Sequence, residues 1–140
     1  MRTLSAGLTL ALAVLAGFPA NAQDIAAVLA GNEVRRSPIT GGGSIRYDVW
    51  RFSADGTYSG AYQIDHLKLS VFGYSEEGRT AGRWQVEGNR LCMDETAMVV
   101  YAGRTCMDLQ QSRQTSLYTE FIGVEVGSGL KWRLQVAPGG

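Results

Sequence analysis

Apolar and polar residues alternate over most of the chain from residue 45 onwards, in short runs separated by Gly, Asn, Asp and Ser. The run 130–136 is the clearest, because its even positions are apolar and its odd positions carry Lys, Arg or Gln. A period of two is typical of strands with one buried and one solvated face. The pattern predicts seven to nine short strands, with candidates at 45–52, 57–64, 67–71, 80–87, 90–93, 98–102, 105–109, 116–122 and 130–136.

Only the segment before these strands has a helical pattern. Apolar residues at 25, 28 and 29 would share one helix face, which predicts a short helix over 25–30. Asp24 is placed to cap its start, and Gly31-Asn32 is a left-handed signal for its end. The next segment, 33–44, holds a proline and three consecutive glycines and is predicted to be a loop.

The turns between the strands indicate how the strands connect. Asp55-Gly56, between two apolar runs, is a hairpin signal, and the polar segment 74–78 is predicted to be a turn. Many short strands with close turns are typical of a sandwich or barrel, and hairpins favour an up-and-down order. Closing the sheet would also remove its exposed edges. The fold class is therefore all-β, a small antiparallel barrel or part-barrel with a short N-terminal helix.

The first 22 residues have the pattern of a secretory signal peptide. Met1-Arg2 is a positive start, 4–18 is apolar, and 19–22 ends in Ala-Asn-Ala before Gln23. The expected cleavage lies after Ala22, although an uncut N-terminal anchor is the alternative. The remaining residues, 23–140, suit a single β-barrel-like domain in the periplasm or outside the cell, and nothing later is apolar enough for stable membrane insertion.

Charge excludes one class of partner. The chain has 13 basic and 13 acidic residues, and signal cleavage would remove only Arg2 from that balance. Such a near-neutral domain has no general attraction to nucleic acid or to an anionic lipid surface. A modest concentration of basic residues near one end could steer an anionic ligand: Arg35, Arg36, Arg46 and Arg51.

Two cysteines, Cys92 and Cys106, lie in the predicted domain. In an oxidising compartment a pair with none left over predicts one disulfide. The alternative is a soft metal site, because Met93, Met98 and Met107 lie near them in sequence and thioether and thiolate ligands suit Cu(I). Since these methionines follow the strand pattern, core packing is the preferred interpretation, and no metal or other cofactor is predicted.

Candidate catalytic residues are few. His66 is the single histidine, and in its polar context it is predicted to be solvated. The adjacent pairs Glu76-Glu77 and Asp94-Glu95 could suggest acid–base chemistry, but neighbours in a strand point to opposite faces, and both pairs are expected in solvated turns. The glycine run 41–43 leads into a strand rather than a helix, which disfavours a phosphate loop. No catalytic residue is predicted.

Aromatic residues are the stronger functional signal. Several lie on predicted strands, and Tyr58 and Tyr62 share a face with a glycine between them. A groove or barrel mouth lined by tyrosine and tryptophan suits a small, mostly apolar ligand or a partner strand. The candidate ligand or partner surface consists of Trp50, Tyr58, Tyr62, Trp84 and Trp132.

The order of motifs resembles that of small uncharacterised secreted proteins of Gram-negative, mostly alphaproteobacterial, origin. Those proteins have an aromatic strand ending in D-G, here Asp55-Gly56, then a G-x-W strand, here Gly82-Arg83-Trp84, then L-C, here Leu91-Cys92, and a later cysteine, here Cys106. The resemblance covers about residues 28–110. It implies an exported lipocalin-like barrel or part-barrel and implies no activity.

The G-x-W element also resembles the lipocalin and avidin signature, in which the tryptophan plugs one barrel end and the other end holds a ligand. Here the element lies mid-chain, whereas lipocalins carry it on the first strand. A glycine two residues before a buried Trp84 is expected to leave room for the indole or to permit a close backbone approach.

Three functions are consistent with the sequence. The first is a binding module for a small apolar or amphipathic ligand or for a periplasmic protein. The second is an envelope structural or interaction protein, or a periplasmic protease inhibitor, without a small-molecule pocket. An enzyme is the third and is not expected. The barrel interior should separate them, because binding needs a cavity and a structural role needs that space filled.

Overall fold

The computed structural model of the protein describes residues 22–39, 44–66, 74–96 and 103–138. The described residues form one helix and eight strands: α1 Ala22–Leu29, β1 Glu33–Pro38, β2 Ser44–Phe52, β3 Thr57–His66, β4 Tyr74–Glu87, β5 Arg90–Glu95, β6 Arg104–Gln114, β7 Thr119–Glu125 and β8 Lys131–Ala137.

The eight strands form a closed barrel in sequence order, and every neighbouring pair is antiparallel. Closure is made by β1 and β8, which pair over six residues from Glu33↔Ala137 to Pro38↔Trp132. The predicted all-β antiparallel barrel with a short N-terminal helix is confirmed, as is its up-and-down order. The hairpin at Asp55-Gly56 is also confirmed, with Gly56 at φ 90°, a conformation that favours glycine.

Two segment predictions are wrong. The predicted loop 33–44 begins with β1, which is paired on both sides and has Pro38 as its last residue, where a missing N–H costs least. The predicted turn 74–78 is the start of β4, because the β3–β4 pairing runs out to His66↔Tyr74. The predicted strands 67–71 and 98–102 and the glycine run 41–43 lie outside the described residues.

Helix α1 closes one end of the barrel. It begins at Ala22, so the helix bounds include Asp24, and it ends before Gly31, whose φ of 78° matches the expected left-handed position. Ile25 and Leu29 lie four residues apart on one face and are fully buried. They join a core cluster that also contains Val34, Phe52, Leu91, Leu109, Phe121, Leu134 and Val136.

Trp84 marks this closed end. Its ring lies 5.1 Å from that of Phe52, and its Nε1 donates to the carbonyl oxygen of Ser53 at 2.9 Å. Gly82, two residues earlier, faces the backbone of β5 so closely that a Cβ there would overlap the carbonyl oxygen of Asp94. The expected close backbone approach at this glycine is confirmed.

The disulfide joins two directly paired residues. Cys92 of β5 and Cys106 of β6 are register partners, with Cα atoms 4.1 Å apart and a sequence separation of 14. The predicted Cys92–Cys106 bond is confirmed, and it is compatible with an oxidising, exported location. Among the described residues, no helix has the length and apolar character needed to cross a bilayer.

Candidate functional site at the open end of the barrel

Strand β2 directs charged residues into the barrel. Its inner face carries Asp48, Trp50 and Phe52, all buried, while Tyr47 and Val49 on its outer face are about two-fifths exposed, at 43% and 40%. Since successive side chains of a strand alternate, Arg46 shares the inner face with Asp48. Strand β2 therefore buries a carboxylate while it exposes Tyr and Val, an arrangement that apolar packing alone does not explain.

Asp48 is the centre of a buried ionic cluster. The Arg36 guanidinium of β1 donates twice to Asp48 Oδ2, from Nε at 2.8 Å and from Nη2 at 2.6 Å. Arg46 Nε donates to the other oxygen, Oδ1, at 3.0 Å. Burial lowers the pKa of Arg36 below its ordinary value, and the charge of Asp48 opposes that shift. One carboxylate therefore pairs with two arginines, and the three groups together keep one positive charge.

Aromatic rings enclose these arginines. The Cζ of Arg36 lies 3.8 Å from the centroid of the Trp132 ring and 4.7 Å from that of Trp50, so the guanidinium contacts both indoles. Arg46 covers the Tyr62 ring in the same way, at 4.5 Å. Such cation–π contacts are strongest where water is excluded, and they hold both guanidinium groups in place.

A cavity of about 300 Å³ lies beside this cluster at the open end of the barrel, opposite α1. We call it the mouth cavity. All eight strands contribute to it, and its wall consists of Arg36, Arg46, Trp50, Tyr58, Thr80, Met93, Glu95, Gly103, Thr105, Glu125, Leu130 and Trp132.

Two polar atoms of this wall have no hydrogen-bond partner in the part of the chain that the structure describes. They are Thr80 Oγ1 and Glu95 Oε1, and both are buried. Thr80 as a residue is only 4% exposed. Buried polar groups are nearly always paired, because losing water without a replacement costs about 1–3 kcal/mol each. Two such atoms around one cavity leave hydrogen-bonding capacity for a ligand, because Glu95 Oε1 as a carboxylate oxygen accepts and the Thr80 hydroxyl accepts or donates.

The charge around the mouth cavity is negative. Two arginines, Arg36 and Arg46, and two carboxylates, Glu95 and Glu125, line the cavity, and Asp48 lies next to it, bonded to Arg36. Three negative charges therefore exceed two positive ones. Glu125 accepts a hydrogen bond from Trp132 Nε1 at 3.0 Å and interacts with the charge of Arg36. Burial, together with the charge of Glu95, raises the pKa of Tyr58 to about 12.

A second polar group lies on the lip of β2, β3 and β4 beyond the cavity. Ser44 Oγ lies 3.0 Å from His66 Nδ1, and His66 Nε2 lies 2.8 Å from Glu76 Oε2. Serine, histidine and carboxylate in this order are the parts of a nucleophile, its base and an orienting acid. The Glu76 side chain is 59% exposed, however, so these three side chains lack the water-excluded setting in which such groups are effective.

The structure divides the predicted aromatic surface. Trp50, Tyr58 and Trp132 line the mouth cavity. Tyr62 lies next to it under Arg46, on the same strand face as Tyr58. Trp84 is at the closed end, in contact with the core, so it cannot share a ligand with the other four.

The structure also shows where the predicted carboxylate pairs, His66 and the methionines lie. The pairs Glu76-Glu77 and Asp94-Glu95 lie within β4 and β5, so the expectation of two solvated turns is wrong, and Glu95 reaches the cavity. His66 is half-buried and hydrogen-bonded at the end of β3 rather than in a turn. Met93 and Met107 pack in the core, and Met98 lies outside the described residues.

Sequence reasoning missed the polar half of the site. Arg36, Asp48, Thr80, Glu95 and Glu125 were not singled out as one group, and they come from five different strands. One signal was present: the inner face of β2 carries two charged residues followed by two aromatic residues, which is unusual for a strand face that is buried. The chain matches no protein-family profile, no curated protein sequence and no solved structure.

Proposed function

We propose that the protein is an exported binding module that holds a small amphipathic ligand in the mouth cavity. The observation that carries this proposal is a pair of polar atoms on the wall of one cavity, Thr80 Oγ1 and Glu95 Oε1, for which the described residues provide no hydrogen-bond partner. A ligand with hydrogen-bond donors would satisfy both atoms and recover the free energy that their burial costs.

The rest of the wall suits the apolar part of such a ligand. Trp50, Tyr58, Met93 and Trp132 present rings and a thioether to the cavity. Ligand sites are mostly apolar with a few polar groups that fix orientation, and they span about 300–1,000 Å³. At about 300 Å³ the mouth cavity is at the small end, which limits the ligand to a compact molecule.

Export to the periplasm or beyond is part of the proposal. Its support is the signal-peptide pattern of residues 1–22 and the Cys92–Cys106 disulfide, a bond that persists in oxidising compartments. The resemblance to small secreted proteins of Gram-negative bacteria agrees with it. Binding rather than catalysis is proposed, because the Ser44–His66–Glu76 chain is open to solvent.

Protein binding through the outer face is the second candidate function. Tyr47 and Val49 are exposed on β2, and with Ala61 and Arg79 they line a shallow groove of about 540 Å³ on the outside of the barrel. Exposed apolar side chains beside a groove are typical of partner contacts. An envelope interaction protein or a periplasmic protease inhibitor would use such a face and would need no occupied mouth cavity.

Native mass spectrometry tests the proposal directly. The protein would be purified gently from a periplasm and its mass compared before and after denaturation, alongside a Thr80→Val, Glu95→Gln double variant. We expect an extra mass that is lost on denaturation and is absent or strongly reduced in the double variant. A control variant, Glu87→Gln on the exposed end of β4, should retain the extra mass.

A bare-chain mass in the wild type, with retention of co-purifying proteins, would instead favour the second candidate. Tyr47→Ser and Val49→Ser would then be expected to abolish that retention, because they remove the exposed apolar contacts without touching the cavity.

A further inference from the structure

We infer that the ligand of the mouth cavity is an organic cation, an amine or ammonium compound that also carries a compact apolar group. This inference rests on the proposed binding function and specifies its ligand class. It follows from which charges of the site are already paired and which are not.

The positive charges of the site are already engaged. Arg36 makes two hydrogen bonds to Asp48 and lies against two indole rings, and Arg46 donates to the same carboxylate. An anionic ligand that bound Arg36 would have to displace Asp48, which is 1% exposed. Arg36 is therefore part of the cavity wall rather than an anion-binding group.

The unpartnered charged atom of the site is a carboxylate oxygen, which only accepts. Among the described residues, Glu95 Oε1 has no hydrogen-bond partner, and neither has Thr80 Oγ1, whose residue is more than nine-tenths buried. Glu125 adds a second carboxylate that accepts only one hydrogen bond from the described residues, from Trp132. A carboxylate bonded to a cationic donor makes a shorter and stronger contact than one bonded to a neutral donor.

The neighbouring rings favour the same class of ligand. Trp50 and Tyr58 line the cavity, and a cation within about 6 Å of an aromatic centroid is attracted by the ring. Anionic ligands gain nothing from these faces. The raised pKa of Tyr58 fits a site in which further negative charge is disfavoured, since part of that shift comes from Glu95.

The test uses three compounds of matched size and different charge: benzylamine, benzyl alcohol and benzoate. Binding at pH 7 would be followed by tryptophan fluorescence, because Trp50 and Trp132 line the cavity. We expect benzylamine to bind at least about tenfold more tightly than benzyl alcohol, as a charge-assisted hydrogen bond allows, and benzoate to bind most weakly.

Two variants test which residue causes the preference for benzylamine. Glu95→Gln should reduce the preference for benzylamine over benzyl alcohol to about threefold or less, because it removes the unpaired charge and leaves the size of the cavity unchanged. Glu87→Gln, exposed on β4 away from the cavity, should leave the preference as it is. Circular dichroism of both variants would establish that they fold.

The possible outcomes separate the two proposals. Equal or tighter binding of benzyl alcohol or benzoate would overturn the cation inference and leave small-ligand binding in place. A preference for benzylamine that survives Glu95→Gln would also overturn it, since the site would then lie elsewhere. Binding of none of the three compounds, with a bare-chain mass from the periplasm, would overturn both.

Discussion

Replacing Asp48 by Asn tests whether the ionic cluster is needed for the fold. The substitution keeps the shape of the side chain and removes the charge that holds two arginines. Arg36, with 7% of its side chain exposed, would lose its anionic partner and face an amide that offers two donors of its own. Arg46, with 35% of its side chain exposed, can turn towards solvent.

The expected cost is dominated by Arg36. Removing one partner of a buried ion pair typically destabilises a protein by about 3–5 kcal/mol, because the remaining charge stays buried without compensation. Arg46 adds about 0–1 kcal/mol, as a half-exposed ion pair does. A total of about 4 kcal/mol is a large part of the ~5–15 kcal/mol that stabilises most domains.

Urea unfolding followed by far-ultraviolet circular dichroism measures this cost. With a slope of about 2 kcal/mol/M, the midpoint should fall by about 2 M. Asp108→Asn is the matched control, because Asp108 bonds Arg90 at 2.8 Å on the surface, where both side chains are more than two-fifths exposed. The control should lose less than about 1 kcal/mol.

A second variant tests whether the buried charge of Arg36 causes this loss of stability. Adding Arg36→Met to Asp48→Asn removes the uncompensated charge and should restore part of the lost stability. If Asp48→Asn and Asp108→Asn cost the same, or if the double variant is less stable than Asp48→Asn alone, the buried charge of Arg36 is not what makes Asp48 necessary.

Three further predictions concern other parts of the barrel. Replacing Cys92 and Cys106 together by Ser should lower the free energy of unfolding by about 3 kcal/mol while leaving the circular dichroism spectrum unchanged, because the bond closes a loop between paired strands; an unchanged urea midpoint would contradict this. Leu29→Ala should lower the free energy of unfolding by about 2–5 kcal/mol in the same assay, since Leu29 is fully buried at the closed end. Val28 is half-buried, so Val28→Ala should cost clearly less, and equal costs would mean that α1 does not close the barrel. Tyr58 should ionise near pH 12 in the folded protein and near pH 10 when unfolded, which absorbance at the phenolate band would measure. Its contribution to stability is therefore fully present below pH 10 and is lost as the pH rises towards 12. Tyr58→Phe should reduce that loss, measured by unfolding at fixed urea.

The strands could be predicted from sequence where one face is plainly apolar. Strand β8 is the best case, because Trp132, Leu134 and Val136 alternate with polar residues and are all buried. Strand β1 could not be predicted in this way. It buries only Val34 and Arg36, and its pairing with two neighbours, β2 and β8, is a property of closure rather than of its own residues.

The register of β2 shows why the site could not be predicted. Its sequence offers two faces, one with Tyr47 and Val49 and one with Asp48 and Trp50, and hydrophobicity alone favours burying the first near its centre. The structure buries the second. The reason is long-range, because Asp48 is tolerable inside only where Arg36 from another strand neutralises it.

The sequence by itself determined the all-β class, the hairpin at Asp55-Gly56, the disulfide and the aromatic character of the interior, because each depends on local periodicity, turn geometry or residue chemistry. Tertiary structure alone decided that the barrel closes, that Trp84 lies at one end and Trp132 at the other, and that Glu95 faces the mouth cavity. Those outcomes depend on which strands meet, and strand pairing places residues distant in sequence around one cavity.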